Sequence, residues 1–353
     1  DFRVPKPITN ALEARVNHPI FGYTTIGKDY LESITNWFES RHNWKIDQQW
    51  IRYSPGVVPA INFIIQQFTQ PGDRVIIQPP VYYPFKDSIK ENGRILSQNQ
   101  LLYTKKSYKI NYEELEELCA QKRVKLFILC NPHNPVGRVW SKDELLRIGT
   151  ICIENDVLIL ADEIHCDLIM PGHKFVPFAS LSEEFAQKSI TCNAPTKSFN
   201  IAGLHVSNVI IPNQELRKKY TVKQNLLALH GPTIFGAEAL KSAYNQGAPW
   251  LDAVLNYIQE NYLYFKKELK QILPKTQILP LEGTYLVWVD FNAYGLDDER
   301  LEKIIKKKAR LALDAGKMFG LGGKGFQRFN IACPRSVLTK VVERLKTAFL
   351  EFL

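Results

Sequence analysis

Two short, almost wholly apolar runs that stop abruptly at polar loops constrain this chain more than any other feature. Leu126–Cys130 (LFILC) runs into Asn131-Pro132-His133-Asn134-Pro135-Val136-Gly137, and Val157–Ala161 (VLILA) runs into Asp162-Glu163-Ile164-His165. A strand that is apolar at every position must be covered on both faces, as happens when helices flank a parallel sheet. Further strands are expected at Val75–Gln78, Arg94–Ser97, Ser189–Cys192 and Val206–Ile211. Between them the apolar spacing predicts helices over Pro59–Phe68, Tyr83–Glu91, Tyr112–Ala120, Lys142–Glu154 and Glu215–Ala228, after earlier ones at Ala11–Val16 and Asp29–Arg41. Strand–helix alternation of this kind specifies an α/β domain with a mostly parallel central sheet. Ligands then collect at the carboxyl ends of the strands.

From about Trp250 the pattern changes. A long helix, Trp250–Leu273, precedes the alternating strand Thr284–Phe291, and helix, strand and a last helix over Val337–Leu353 follow. The expectation is a large domain over residues 20–248 and a smaller α+β domain over 249–353, joined by residues 1–19. The chain's 353 residues suffice for two such units.

Composition narrows the function classes. Hydrophobic residues are 45% and charged residues 23%, ordinary for a globular protein. No apolar run reaches the ~20 residues of a membrane span, so no membrane partner is expected. The first residues, DFRVPKPITN, carry charge and two prolines and do not read as a signal peptide. The net charge is +9, but it sits in runs such as Lys303–Arg310 without interleaved aromatics, so nucleic acid is not expected as a partner. Six cysteines occur without a C-x-x-C pair, several inside apolar strands; they read as buried thiols in a reducing, cytoplasmic setting.

The strand ends carry the residues capable of chemistry. Ser54-Pro55-Gly56-Val57-Val58 opens a helix, where free N–H groups favour an anion. Pro79-Pro80-Val81-Tyr82-Tyr83 places an aromatic ring after a strand, and Asn134 holds an amide at the end of LFILC. Asp162-Glu163-Ile164-His165 has the letters of a helicase box, but the chain lacks a G-x-x-x-x-G-K-[ST] phosphate loop, and that reading fails. Metal binding is poorly served too, since His165, His173 and His205 lack paired ligand spacing. A buried aspartate is better used to keep a pyridine nitrogen protonated. Lys197, just past Ser189–Cys192 and hemmed in by Ala194, Thr196, Ser198 and Gly203, is placed to lose its proton by burial and form an imine with a carbonyl. Imine-forming lysine, aspartate, tyrosine and helix N-terminus together describe a pyridoxal-phosphate site.

With these motifs in order, the chain resembles fold-type I pyridoxal-phosphate enzymes. It is most similar to the MalY/PatB-like cystathionine β-lyases (C–S lyases) among the class-I/II aminotransferase-like proteins. The carriers are HPIFGYT, SPGVVPAI, QPPVYYPF, NPHNPVGRVW, ADEIHCDL, APTKSFNIAGLHVSN, EGTYLVWVDF and FQRFNIACPRS, which span essentially the whole chain. The resemblance implies pyridoxal 5′-phosphate as cofactor and a homodimer with its site at the subunit interface. It implies that Lys197 binds the cofactor and moves the substrate's Cα proton, and that Asp162 pairs with the ring nitrogen. Asn134 would meet the ring oxygen, with His165 beside it, and Tyr82 would stack on the ring. Val57, Val58, Thr196 and the neighbouring subunit's copy of Tyr23 would hold the phosphate, and Arg328 would clamp a small amino-acid substrate. Two departures stand out: His205 occupies the place of a common phosphate-binding arginine, and Ala194 lacks a hydroxyl found in some relatives. The implied activity is C–S cleavage of cystathionine or a cysteine S-conjugate to thiol, pyruvate and ammonia. The alternatives are an aminotransferase, which shares the first proton removal, and a cofactor-binding regulatory protein.

Overall fold

The computed structural model describes residues 1–352. Seven strands of the main sheet come from β1 (Ile51–Ser54), β2 (Arg74–Ile77), β3 (Ile95–Gln98), β6 (Val124–Cys130), β7 (Leu158–Asp162), β8 (Ser189–Asn193) and β9 (Ser207–Ile210). A small hairpin of β4 (Leu102–Tyr103) and β5 (Tyr108–Lys109) stands apart. The second sheet has β10 (Gln277–Ile278), β11 (Leu286–Asp290), β12 (Asp314–Ala315) and β13 (Phe326–Asn330). The helices in chain order are α1 (Lys6–Val16), α2 (Lys28–His42), α3 (Val57–Phe68), α4 (Pro84–Glu91), α5 (Tyr112–Cys119), α6 (Lys142–Glu154) and α7 (Glu183–Gln187). They continue with α8 (Pro195–Ser198), α9 (Gln214–Leu226), α10 (Ile234–Gln246), α11 (Ala248–Ile272), α12 (Asp298–Lys303) and α13 (Arg335–Ala348).

The main sheet has the order β1-β9-β8-β7-β6-β2-β3. Pairs from β3 through β8 are parallel, and only β9 runs against its neighbours. The expectation of a mostly parallel sheet therefore holds. The central strands β6 and β7 are almost wholly apolar because each face is covered separately. Leu126, Ile128 and Cys130 of β6 join Leu160, Ile190 and Val209 under α3, α4 and α9. Phe127 and Leu129 alternate to the other face and pack with Leu115, Leu145 and Ile148 of α5 and α6. Period-two alternation inside a continuous apolar run is what a sheet with two dry faces requires.

The register brings the strand ends abreast. Cys130 of β6 pairs with Asp162 of β7, and Asp162 with Cys192 of β8. The loops that follow these strands consequently leave the sheet side by side, the condition for a shared site.

The second sheet is antiparallel, in the order β10-β11-β13-β12. It carries two more strands than expected, both only two residues long. The strand β1, the β4–β5 hairpin and the helices α7, α8 and α10 also lie outside the sequence-based expectation. The edge strand β1 is four residues with Arg52 inside it, too short to show a period. Helix α10 buries Gly236, Ala237, Ala239, Leu240, Ser242, Ala243 and Tyr244, most of its circumference, so it has no single apolar stripe. A Cβ at Gly236 would stand 2.8 Å from the Leu204 carbonyl oxygen, so close backbone packing selects glycine there. The last helix ends at Ala348, short of the expected end at Leu353, which lies outside the described residues. Five cysteines are buried free thiols; Cys333 is the half-buried exception to the expected set.

Candidate active site

A cleft of about 440 Å³ opens where the β6, β7 and β8 loops face the second sheet. Val57, Val58, Tyr82, Asn134, Asp162, His165, Thr196, Lys197 and Arg328 all line it. Nine of the ten residues singled out from the sequence thus meet in one place. Tyr23 does not: it is fully exposed, at 108% of its reference area, on the segment between α1 and α2.

Lys197 sits in α8, the single helical turn that follows β8. No hydrogen bond or ion pair holds its amine among the described residues. Burial lowers the amine's pKa, the Asp162 carboxylate pulls it back up, and the Arg328 charge lowers it further. Burial wins, so the neutral amine is more available than in a solvated lysine.

Asp162 is the last residue of β7 and is nearly fully buried. Its Oδ1 accepts one hydrogen bond, from the Ile164 N–H at 3.2 Å. Burial pushes its pKa up to about 7, against the opposing pull of that N–H and of the Lys197 charge. The carboxylate is therefore under-supplied with donors and suited to meet a cationic N–H. His165, three residues on, is driven down to about 3 by burial first and then by the Lys197 and Arg328 charges. It is a neutral imidazole whose buried Nδ1 has no partner among the described residues, edge-on to Tyr285 at 5.9 Å. Tyr82 is half-buried, and its hydroxyl is pushed up to about 12, chiefly by burial and then by Asp162.

The loop after β6 holds Asn134. Gly137 closes that loop at φ 74°, and a Cβ there would meet Leu281 and the Pro280 carbonyl at 3.3 Å, so a left-handed turn and tight packing both demand glycine. Asn134 Oδ1 accepts from Arg328 Nη1 at 2.7 Å, which ties the main sheet's loop to β13. Arg328 Nη2 also pairs with Asp314, its cross-strand neighbour, and the guanidinium lies 4.9 Å over the Phe319 ring. Sequence reasoning did not find Asp314 or Tyr285. Asp314 becomes visible only through the β12–β13 register, and Tyr285 carried only the signal of a strand start.

Helix α3, whose first residues also line the cleft, begins without a side-chain cap. Its first N–H groups, those of Val57 and Val58, precede the first helical bond, from the Ala60 N–H to the Gly56 carbonyl. Thr196 and His205 line the same cleft. His205 has φ 51°, with Nδ1 3.3 Å from the Pro55 carbonyl oxygen. Facing an acceptor, Nδ1 must carry the proton. Uncapped N–H groups at a helix start form an anion site by hydrogen bonding and by the helix dipole.

Comparison with known proteins agrees with this geometry. The family described as aminotransferase class I and II matches residues 2–345. The chain is 44% identical to the cystathionine beta-lyase PatB of Bacillus subtilis (strain 168), over 99% of this chain and 90% of that protein. A pyridoxal-phosphate-bound putative aminotransferase from Clostridium difficile 630 superposes with a TM-score of 0.97 at 45% identity, covering 99% of this chain and 90% of that one. Cystalysin from Treponema denticola, whose crystal structure contains a pyridoxal 5′-phosphate cofactor, gives 0.97 at 39% identity over 100% and 89%. The chain belongs to the class I and II aminotransferase family and has its fold-type I architecture.

Proposed function

We propose that the protein is a pyridoxal-phosphate-dependent carbon–sulfur β-lyase, cleaving cystathionine or a cysteine S-conjugate to a thiol, pyruvate and ammonia. The observation that carries this reading is the pair at the floor of the cleft: an untethered lysine amine beside a buried carboxylate with one N–H donor. The donor set fits the cofactor, with uncapped N–H groups at Val57 and Val58 for a phosphate, Asp162 for a ring nitrogen and Lys197 for an aldehyde. The relative named as a cystathionine beta-lyase supports C–S cleavage, and the two neighbours that contain pyridoxal phosphate support the cofactor.

When bound, pyridoxal phosphate supplies a carbonyl that takes up the substrate's amine and a ring that accepts the electron pair left on Cα. The chain's residues do the rest. Lys197 Nζ would take the Cα proton, a task for which burial lowers its pKa. Asp162 would hold the proton on the ring nitrogen, and its one-donor environment leaves oxygen lone pairs free for it. Tyr82 would cover a ring face, and Asn134, with His165 beside it, would meet the ring oxygen. Arg328 would hold the substrate carboxylate, aimed by Asn134 and Asp314; an arginine fork suits a planar carboxylate. Thr196 would add its hydroxyl to the phosphate.

Four wider readings go with this one. The subunit is divided into a large domain over 20–248 and a small domain over 249–353 with 1–19. It forms a homodimer, for which Tyr23, Ile20 and Phe21 supply an exposed apolar segment. It works in the cytoplasm, which five buried free thiols support. Its partner is a small amino acid; no helix among the described residues is long and apolar enough to cross a membrane.

Incubation with cystathionine, with and without an added keto acid, tests the activity. Free thiol and pyruvate are expected without the keto acid. Amino exchange that needs the keto acid and releases no thiol would instead establish the transaminase reading.

A further inference from the structure

The amine of Lys197 has no polar tether among the described residues, so its aim depends on the backbone that carries it. That backbone is α8, four residues long and without a side-chain cap. A helix this short has too few internal bonds to hold its own shape. What holds it starts one residue on. Ser198 Oγ donates to Asp167 Oδ2 at 2.7 Å. The other oxygen, Oδ1, accepts from Trp37 Nε1 at 3.0 Å and lies 2.8 Å from His42 Nε2. The indole nitrogen is only a donor, and the imidazole nitrogen facing a carboxylate must donate too, so three donors converge on one buried anion. Burial alone would raise the Asp167 pKa; the His42 and Ser198 hydrogen bonds outweigh it and hold the group below the usual carboxylate range.

The clamp is rigid on its far side. Trp37 and His42 both belong to α2, and Trp37 stacks on Tyr244 of α10 at 5.1 Å. Phe199, next to Ser198, is fully buried and meets Trp37 edge-on at 5.7 Å. Asp167 itself follows β7 by five residues, on the segment that begins at Asp162. One carboxylate therefore connects α2, the Asp162 segment and the Lys197 turn.

Two other readings of the cluster fail on chemistry. His42, Cys166 and Asp167 offer donor atoms within 4.8 Å of one another. The N–H between His42 and Asp167, however, takes the lone pair and the space that a metal would need. A nucleophilic triad fails as well, because Ser198 bonds to the carboxylate and not to the imidazole, so no base acts on its hydroxyl.

We propose that Asp167, gripped by Trp37 and His42, is the anchor that positions Lys197: through the Ser198 hydroxyl it fixes the turn that aims the lysine amine at Asp162 and the cleft. Asp167 and Ser198 are positioning residues and touch neither substrate nor cofactor. The inference rests on the proposed role of Lys197, but it concerns the amine itself and can be read without the cofactor.

Ser198→Ala removes one hydroxyl, and Ser198→Thr restores it on nearly the same atoms. In the cofactor-free proteins, trace acetylation of Lys197 followed by mass spectrometry across pH reports the amine's setting. Asp162, Arg328 and His165 face that amine in all three proteins. Ser198→Ala is expected to move the midpoint of the profile up toward that of an ordinary lysine, and Ser198→Thr to return it. In the lyase assay kcat of Ser198→Ala should fall about tenfold to a hundredfold, the scale of a misplaced catalytic group, with KM changed by less than about twofold. An unchanged Lys197 profile in Ser198→Ala, whatever its loss of stability in urea, overturns the proposal, as does a threonine variant as perturbed as the alanine one. If the profile responds but no variant, nor the wild type, cleaves cystathionine, the anchor stands and the lyase reading falls.

Discussion

At the scale of single residues, the site is built from groups held away from their usual protonation states. Asp162 is pushed up to about 7 and its neighbour Glu163 to about 8, both chiefly by burial. Glu163 Oε1 accepts from the Phe178 N–H, but Oε2 has no partner among the described residues. An acid whose folded pKa exceeds its unfolded value of ~4 stabilises the fold fully only below that value. As pH rises toward 7 the unfolded chain releases protons first, and stability is lost. The stability that these two carboxyls contribute to the cofactor-free protein should therefore be lost between pH 4 and 8, while the buried His165 and His133, held at about 3, act in the opposite sense below ~6.5. Asp162→Asn, which cannot ionise, should escape its share of that loss, on the order of a few kcal/mol. Urea unfolding of both proteins at pH 5 and pH 8 checks this: the gap should widen in favour of Asp162→Asn, and parallel pH dependences would count against it. Asp162, His165 and Lys197 were legible as site residues because each follows a recognisable apolar strand. Asp314 was not, because its role depends on a cross-strand neighbour fourteen residues away in sequence.

At the scale of elements, most helices and strands were readable to within a few residues. The capping box of α6 shows why: Ser141 and Glu144 satisfy each other's N–H groups at the position where the apolar spacing begins. Helix α10 and strand β1 escaped for opposite reasons, one buried nearly all round and the other too short to show a period. The elements also differ in how tightly they are packed. On α6, a Cβ at Gly149 would stand 2.3 Å from the Phe185 ring of α7, which itself stacks on Phe178 at 5.2 Å. A stacked ring cannot swing aside cheaply. Gly149→Ala should lower unfolding free energy by about 1–3 kcal/mol, the usual cost of overpacking, despite alanine's better helix propensity. Chemical denaturation would measure it, and a stabilised variant would show that α7 yields instead.

At the scale of the molecule, the cleft is closed by contact between distant parts of the chain. Arg328 of β13 reaches Asn134, 194 residues earlier, and the Glu282 carboxylate accepts from Arg138 at 2.9 Å. Tyr23 alone of the expected set stays out, exposed on its loop. If it completes a neighbouring subunit's cleft, Tyr23→Ala and Lys197→Ala proteins should each be weakly active or inactive alone. Mixed after partial unfolding and refolding, they should regain activity, because each hybrid dimer then holds one intact site. No recovery, with dimers confirmed by sedimentation, would place Tyr23 outside the site. The sequence by itself determined the sheet and the order of chemical groups along its edge, because apolar periodicity and strand-end motifs are local properties. It also determined the lysine and aspartate pair, since Asp162 ends its strand and Lys197 sits just beyond its own. Only the tertiary structure decided what surrounds them: the Asp314 partner of Arg328, the partnerless His165 nitrogen, and the Asp167 clamp behind Ser198. Those depend on register and on packing between segments far apart in the chain, and no local pattern encodes them.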